Sequence, residues 1–77
     1  MDDLDGKIKS TLDSLIRFNL EKIEVKAKKD TNDIYKLTRV YSDLINIAIY
    51  TGLFNESAIN EYRKKYDDVA KLWTENK

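Results

Sequence analysis

The sequence predicts an all-α fold: an antiparallel three-helix bundle with helices over about residues 3–28, 32–51 and 56–75, forming a single helical domain over 1–77. Three observations predict it. Apolar residues recur at intervals of three and four along most of the chain, which is the period of one helix face. The 77 residues include no proline and only two glycines, so little interrupts a helix. The clearest turn signal, Gly52 to Asn55, falls between two long periodic segments.

Helix 1 is read from Leu4, Ile8, Leu12, Leu15, Ile16, Ile23 and Ala27, whose spacing places them on one face, expected to be buried. Asp2, Asp3 and Asp5 suit the positive end of its dipole. Gly6 weakens the first turn by up to about 1 kcal/mol relative to alanine. Asn19 falls in the middle of the apolar stripe. A buried amide left unbonded costs about 1–3 kcal/mol, so Asn19 is expected to bond a neighbouring helix or water. The sharper expectation is a register or specificity contact of the kind found in coiled coils.

Continuing helix 1 would bring Lys26, Asp30 and Asp33 onto the stripe, so a turn is expected instead, with Asp30 or Thr31 capping helix 2 and Asp33 in its first turn. The stripes on either side of this break align if the helix is carried through it. One long helix merging helices 1 and 2 to about residue 50 is therefore the alternative. Helix 2 presents Ile34, Leu37, Tyr41, Leu44, Ile45 and Ala48 on one face. Val40, Ile47 and Tyr50 add a second apolar row, and Ile49 lies on the far flank. A helix apolar round most of its circumference must be enclosed on several sides.

Gly52 suits the left-handed position that follows a helix, with Leu53 folding back on the last turn. Asn55 is expected to cap helix 3, with Phe54 and Ile59 flanking it as a hydrophobic staple. Helix 3 carries the stripe Ile59, Tyr62, Tyr66, Val69, Ala70 and Trp73, with Arg63, Lys64, Asp67, Asp68 and Lys71 on its other faces.

Fourteen basic residues balance fourteen acidic ones, and the balance is local: seven against six over 1–29, two against three over 30–51, five against five over 52–77. Acid precedes base by four residues in Asp3/Lys7, Asp5/Lys9, Asp13/Arg17, Glu24/Lys28, Glu61/Lys65 and Asp67/Lys71, each worth about 0.2–0.5 kcal/mol to a helix. No apolar run approaches the ~20 residues of a membrane span, and the acidic start MDDLD is unlike a signal peptide, so a cytoplasmic protein without a membrane partner is expected. The richness in Lys, Ile, Asn and Tyr matches A+T-rich codons, as in many bacterial or phage genomes.

No motif names a reaction, a small-molecule substrate or a cofactor. Histidine and cysteine are absent, which removes the usual nucleophile–base pairs, disulfides and zinc ligand sets. Ser10, Ser14, Ser42 and Ser57 therefore have no histidine to activate them. Asp67 and Asp68 point about 100° apart on a helix, and Asp30 and Asp33 have no glycine turn beside them, so neither pair suits Ca²⁺. The N-terminal third resembles the first helix of the small helical chorismate mutases. That chemistry implies cationic side chains turned into the bundle, and Asn19 holds the matching place. Ala48, Gly52 and Leu53, followed by Ile59 and Tyr62, resemble the turn of helix-turn-helix proteins over about fifteen residues, with one residue more after the turn and a longer preceding helix. The resemblance implies a DNA-binding regulator in which helix 3 offers Asn55, Ser57, Asn60, Arg63 and Lys64. Glu56 and Glu61 share that surface, and a neutral domain without a basic stripe is a poor partner for nucleic acid.

What remains is apolar surplus. Tyr35, Val40, Ile47, Tyr50, Phe18, Val25 and Leu72 are more than a three-helix core needs. The leading expectation is a non-catalytic protein–protein interaction module, a small regulator or inhibitor that binds a larger protein or forms a homodimer. Val40, Ile47, Tyr50, Phe18 and Val25 are its expected contact residues. An accessory structural subunit of a larger assembly is the second alternative, after DNA binding.

Overall fold

A computed structural model describes residues 2–29 and 34–75, and of Asp2, Trp73 and Glu75 the backbone only. It contains three helices: α1 (Asp2–Lys29), α2 (Ile34–Thr51) and α3 (Glu56–Glu75). At about 1.5 Å per residue the 28 residues of α1 extend about 42 Å. That is nearly the full 47 Å length of the molecule. α1 is the spine, packed along both α2 and α3.

Side-chain contacts set the directions. Asn19 on α1 meets the Leu37 carbonyl on α2. In a helix running unbroken from 19 to 37 those residues would stand about 27 Å apart, so α1 and α2 are separate antiparallel helices and the merged-helix alternative is excluded. The expected caps at Asp30, Thr31 and Asp33 lie outside the described residues. α3 runs the same way as α1: Lys9 sits over the Phe54 ring, Tyr62 bonds Asp13, and Leu20 and Val69 line one depression farther along. Tyr41 of α2 stacks on Tyr66 of α3, ring centres 4.2 Å apart and nearly coplanar. The three helices therefore run up, down and up, as an antiparallel bundle should.

The turn between α2 and α3 forms as its residues require. Gly52 takes φ +70°, open to glycine at no steric cost, and its N–H bonds the Ile49 carbonyl at 3.2 Å. Asn55 Oδ1 accepts from the Ala58 N–H at 2.8 Å while its own carbonyl accepts from Ile59, which is the geometry of an N-cap. Phe54 packs on the core with its ring edge-on to Tyr62.

The core is one cluster. Ile16, Ile23 and Ile34 are its largest fully enclosed side chains, joined by Leu20, Ala27, Tyr41, Ile45, Ala48, Ile59, Tyr62 and Val69. Three expectations need correction. Leu20 is buried although the stripe reading omitted it; it lies four residues after Ile16 and belongs to the same row. Leu72, expected as surplus, packs against the core. Leu4, Ile8 and Leu15, expected inside, are exposed. They lie roughly 80–120° round the helix from Ile16, beyond the arc that α2 and α3 cover. Trp73, placed on the α3 stripe, has its side chain outside the described residues. Asp13/Arg17, Glu24/Lys28 and Glu61/Lys65 form the expected ion pairs on partly exposed surface, where such pairs contribute little.

Candidate functional site

The residues that the chain leaves outside its core are themselves regularly spaced. On α1, Leu4, Ile8, Thr11, Leu15 and Phe18 alternate steps of four and three, and all five are exposed, Leu4 at 58% and Phe18 at 56%. Lys22 and Val25 continue the row, the Lys22 ammonium lying 4.7 Å from the centre of the Phe18 ring. On α2, Leu37, Val40, Leu44, Ile47 and Thr51 alternate steps of three and four. Val40 and Ile47 are exposed, and the other three are half-buried. A 4-3 alternation is the seam of helices that pack side by side.

The two seams adjoin. Phe18, Val25 and Leu37 line one shallow depression together with Glu21, Lys22 and Lys26. Leu37 and Leu44 rest against the core with one edge, so the α2 seam lies on the flank of α2 turned toward α1. α3 packs on α1 through the Asp13, Arg17 and Leu20 side, away from this row. The result is a two-helix apolar face on the side of the molecule opposite α3. Of the expected contact residues, Phe18, Val25, Val40 and Ile47 lie on it. Tyr50, 91% exposed, stands one residue before Thr51 at its outer edge. Tyr35 and Ile49 are exposed elsewhere on α2. Of the α1 half of the face the sequence placed Phe18 and Val25 but not Leu4, Ile8 and Leu15, which it assigned to the core. The signal that separates them is their own 4-3 spacing, offset from the row of Ile16, Leu20 and Ile23.

Asn19 borders this face from below. It is 5% exposed, its Nδ2 donates to the Leu37 carbonyl at 3.2 Å, and its Oδ1 is buried without a hydrogen-bond partner among the described residues. The expected bond to a neighbouring helix is thus present on one side of the amide only. It ties α1 to α2 at one level.

A second polar cluster lies where α3 meets α1. The Tyr62 hydroxyl donates a hydrogen bond to Asp13, and Asp13 also accepts from Arg17 at 3.0 Å. Arg17 in turn lies 5.8 Å over the Tyr62 ring. Burial pushes the Tyr62 hydroxyl up to about 12, with the bond to Asp13 adding to the shift. The Tyr62 hydroxyl holds the Asp13 carboxyl below its ordinary value, against an opposing effect of burial and with Arg17 assisting. Both groups keep their usual charge at neutral pH, so the cluster fastens two helices and poises no acid or base.

On α3, Asn55, Ser57, Asn60, Arg63 and Lys64 are exposed beside Glu56 and Glu61. α2 and α3, about 27 and 30 Å long, both have to lie along the long axis of a molecule 47 × 20 × 15 Å in extent, whereas the helices of a helix-turn-helix cross at about 90–120°. No helix among the described residues is long and apolar enough to cross a membrane. Compared with protein-family models, with curated proteins and with solved structures, the chain matches none.

Proposed function

We propose that this chain is a non-catalytic protein–protein interaction module, a small regulator or inhibitor that acts by binding a protein through the face shared by α1 and α2. One observation carries the reading: two adjoining 4-3 rows, mostly of large apolar side chains, leave Leu4, Ile8, Leu15, Phe18, Val25, Val40 and Ile47 exposed beside the core, with Leu37 and Leu44 resting on its edge. Apolar surface left in water forgoes roughly 25 cal/mol per Å² that burial would contribute. Contiguous patches of it mark docking surfaces, and aromatic side chains such as Phe18 and Tyr50 are the usual anchors. The remainder of the surface carries mixed charge, which suits water and neither a polyanion nor a lipid face.

Site-directed photo-crosslinking tests the reading. A benzophenone amino acid in place of Ile47 is expected to give a covalent protein adduct on irradiation in cells, and the same group in place of the exposed Lys64 on α3 is expected to give none. Adducts from neither position, or equally from both, contradict it.

A further inference from the structure

The flanks of the apolar face hold information about what covers it. One side of each seam is the chain's own core: Leu12 and Asn19 on α1, Tyr41 and Ala48 on α2. The other side is an outer edge. On α1 that edge carries Lys7, Ser14 and Glu21, and on α2 it carries Lys36, Asp43 and Tyr50, each series at intervals of seven and exposed throughout. None of the four charged residues among them makes an ion pair with a described residue.

Resting on the function proposed above, we infer that the occupant of this face is a second copy of the chain, related by a twofold axis parallel to the helices, so that α1 of each copy lies antiparallel beside α2 of the other in a four-helix seam.

The register is not adjustable. A twofold axis along the bundle leaves every residue at its own height, so α1 passes the second copy's α2 at the level at which it passes its own. Asn19 beside Leu37 sets that level to within about one helical turn. Each step up α1 is then a step back along α2. Glu21 comes level with Lys36 of the second copy, Ser14 with its Asp43, and Lys7 with its Tyr50. The three edge pairs are an ion pair, a hydroxyl facing a carboxylate, and a cation facing an aromatic ring, and symmetry repeats each of them. One like-charge approach occurs, at the end of the seam, where Lys22 comes nearly level with Lys36 of the second copy beside Glu21.

The alternative twofold axis, perpendicular to the helices, sets α1 against α1 and α2 against α2. Centred on the seam, it sets Lys7 against Glu21 but brings Asp43 against Asp43 and leaves Lys36 facing Tyr50 with no opposite charge. The parallel axis is therefore the better match. The apolar layers also fit, since Leu15 and Phe18 of one copy fall among Leu37, Val40 and Leu44 of the other and Ile8 falls between its Ile47 and Thr51, with Leu4 just beyond the end of α2. Lys22 lies near the end of the seam, beyond the level of Leu37, where its ammonium can reach water.

The paired part of the seam is about 20 Å long and two helices wide, which buries on the order of 1,000 Å² in total. That is the lower edge of specific interfaces, the size class of weak and transient complexes. Removing this apolar face from water would also supply what a chain of this size lacks, since a single core of under about 80 residues seldom contributes more than a few kcal/mol.

Sedimentation equilibrium of the whole chain from about 1 to about 500 µM tests the assignment. The expected result is a mass rising from one chain toward two. Glu21→Lys and Lys36→Glu, each on the exposed outer edge, should weaken association about tenfold, or about 1.4 kcal/mol, with unchanged helical circular dichroism. The double variant Glu21→Lys/Lys36→Glu should return to within about twofold of the parent. A single chain throughout the concentration range overturns the inference, as do double-variant losses that simply add. Rescue of Glu21→Lys by Lys7→Glu instead of by Lys36→Glu also overturns it, because that pair meets only about the perpendicular axis. A chain that stays single in solution yet crosslinks a different protein at position 47 loses this inference and keeps the proposed function; absence of the crosslink as well removes both.

Discussion

At the scale of single residues, the most informative pair is Tyr62 with Asp13, 49 positions apart and joined by one hydrogen bond across the α1/α3 contact. Asp13 has a depressed folded-state value, so its contribution to stability is present above the ordinary carboxylate range and is lost as pH falls through the folded value. Tyr62 is raised to about 12, so its contribution is complete below about 10 and is lost as pH rises toward the folded value. Tyr62→Phe is therefore expected to lower stability near neutrality by about 1 kcal/mol, a low-end figure because Asp13 is partly exposed. Urea unfolding across pH checks it: the gap between parent and variant should narrow below about pH 4 and again above about pH 10. A gap that stays constant would mean that the hydroxyl and the carboxylate do not act as a pair. Only part of this was legible beforehand. The stripe places Tyr62 on the inner face of α3, and the four-residue spacing pairs Asp13 with Arg17. Which carboxylate the hydroxyl finds depends on how far α3 slides along α1, and no local pattern encodes that.

At the scale of the helices, sequence and structure agree where the signal is local and diverge where it depends on neighbours. Gly52 and Asn55 mark their helix ends by backbone chemistry alone, and both are found in those roles. The merged helix was a reasonable alternative only because stripes on either side of residues 30–33 align in projection; alignment says nothing about whether the chain reverses. On α1, apolarity could not separate the inner row of Ile16, Leu20 and Ile23 from the outer row of Leu4, Ile8 and Leu15, because two neighbours cover just one of them. Asn19 ties α1 to α2 through half of its amide and leaves Oδ1 buried without a partner among the described residues. Asn19→Leu should raise stability by about 1 kcal/mol, since the buried carbonyl oxygen disappears while the Leu37 carbonyl keeps its place within α2. The urea midpoint at low protein concentration reads this directly. A fall of similar size would show that the bond to Leu37 outweighs the buried oxygen.

At the scale of the whole molecule, three helices of 28, 18 and 20 residues make one complete core and leave the α1/α2 face opposite α3 without cover. The apolar excess on α2 was legible from its circumference, and Val40, Ile47 and Tyr50 are outside as that reading requires. Of the twin row on α1, Phe18 and Val25 were legible as surplus, whereas Leu4, Ile8 and Leu15 separate from the core only once α3 has taken its side. Together they turn a scatter of exposed residues into a face with a register and charged edges. The most direct measurement is an isotope-filtered NOE experiment on an equal mixture of methyl-labelled and unlabelled chains, at a concentration where sedimentation gives two chains. The account predicts cross-chain NOEs at the methyl groups of Ile8, Leu15, Val40 and Ile47, linking α1 of one chain to α2 of the other. Their absence from all four, in a sample that sediments as a dimer, would contradict it.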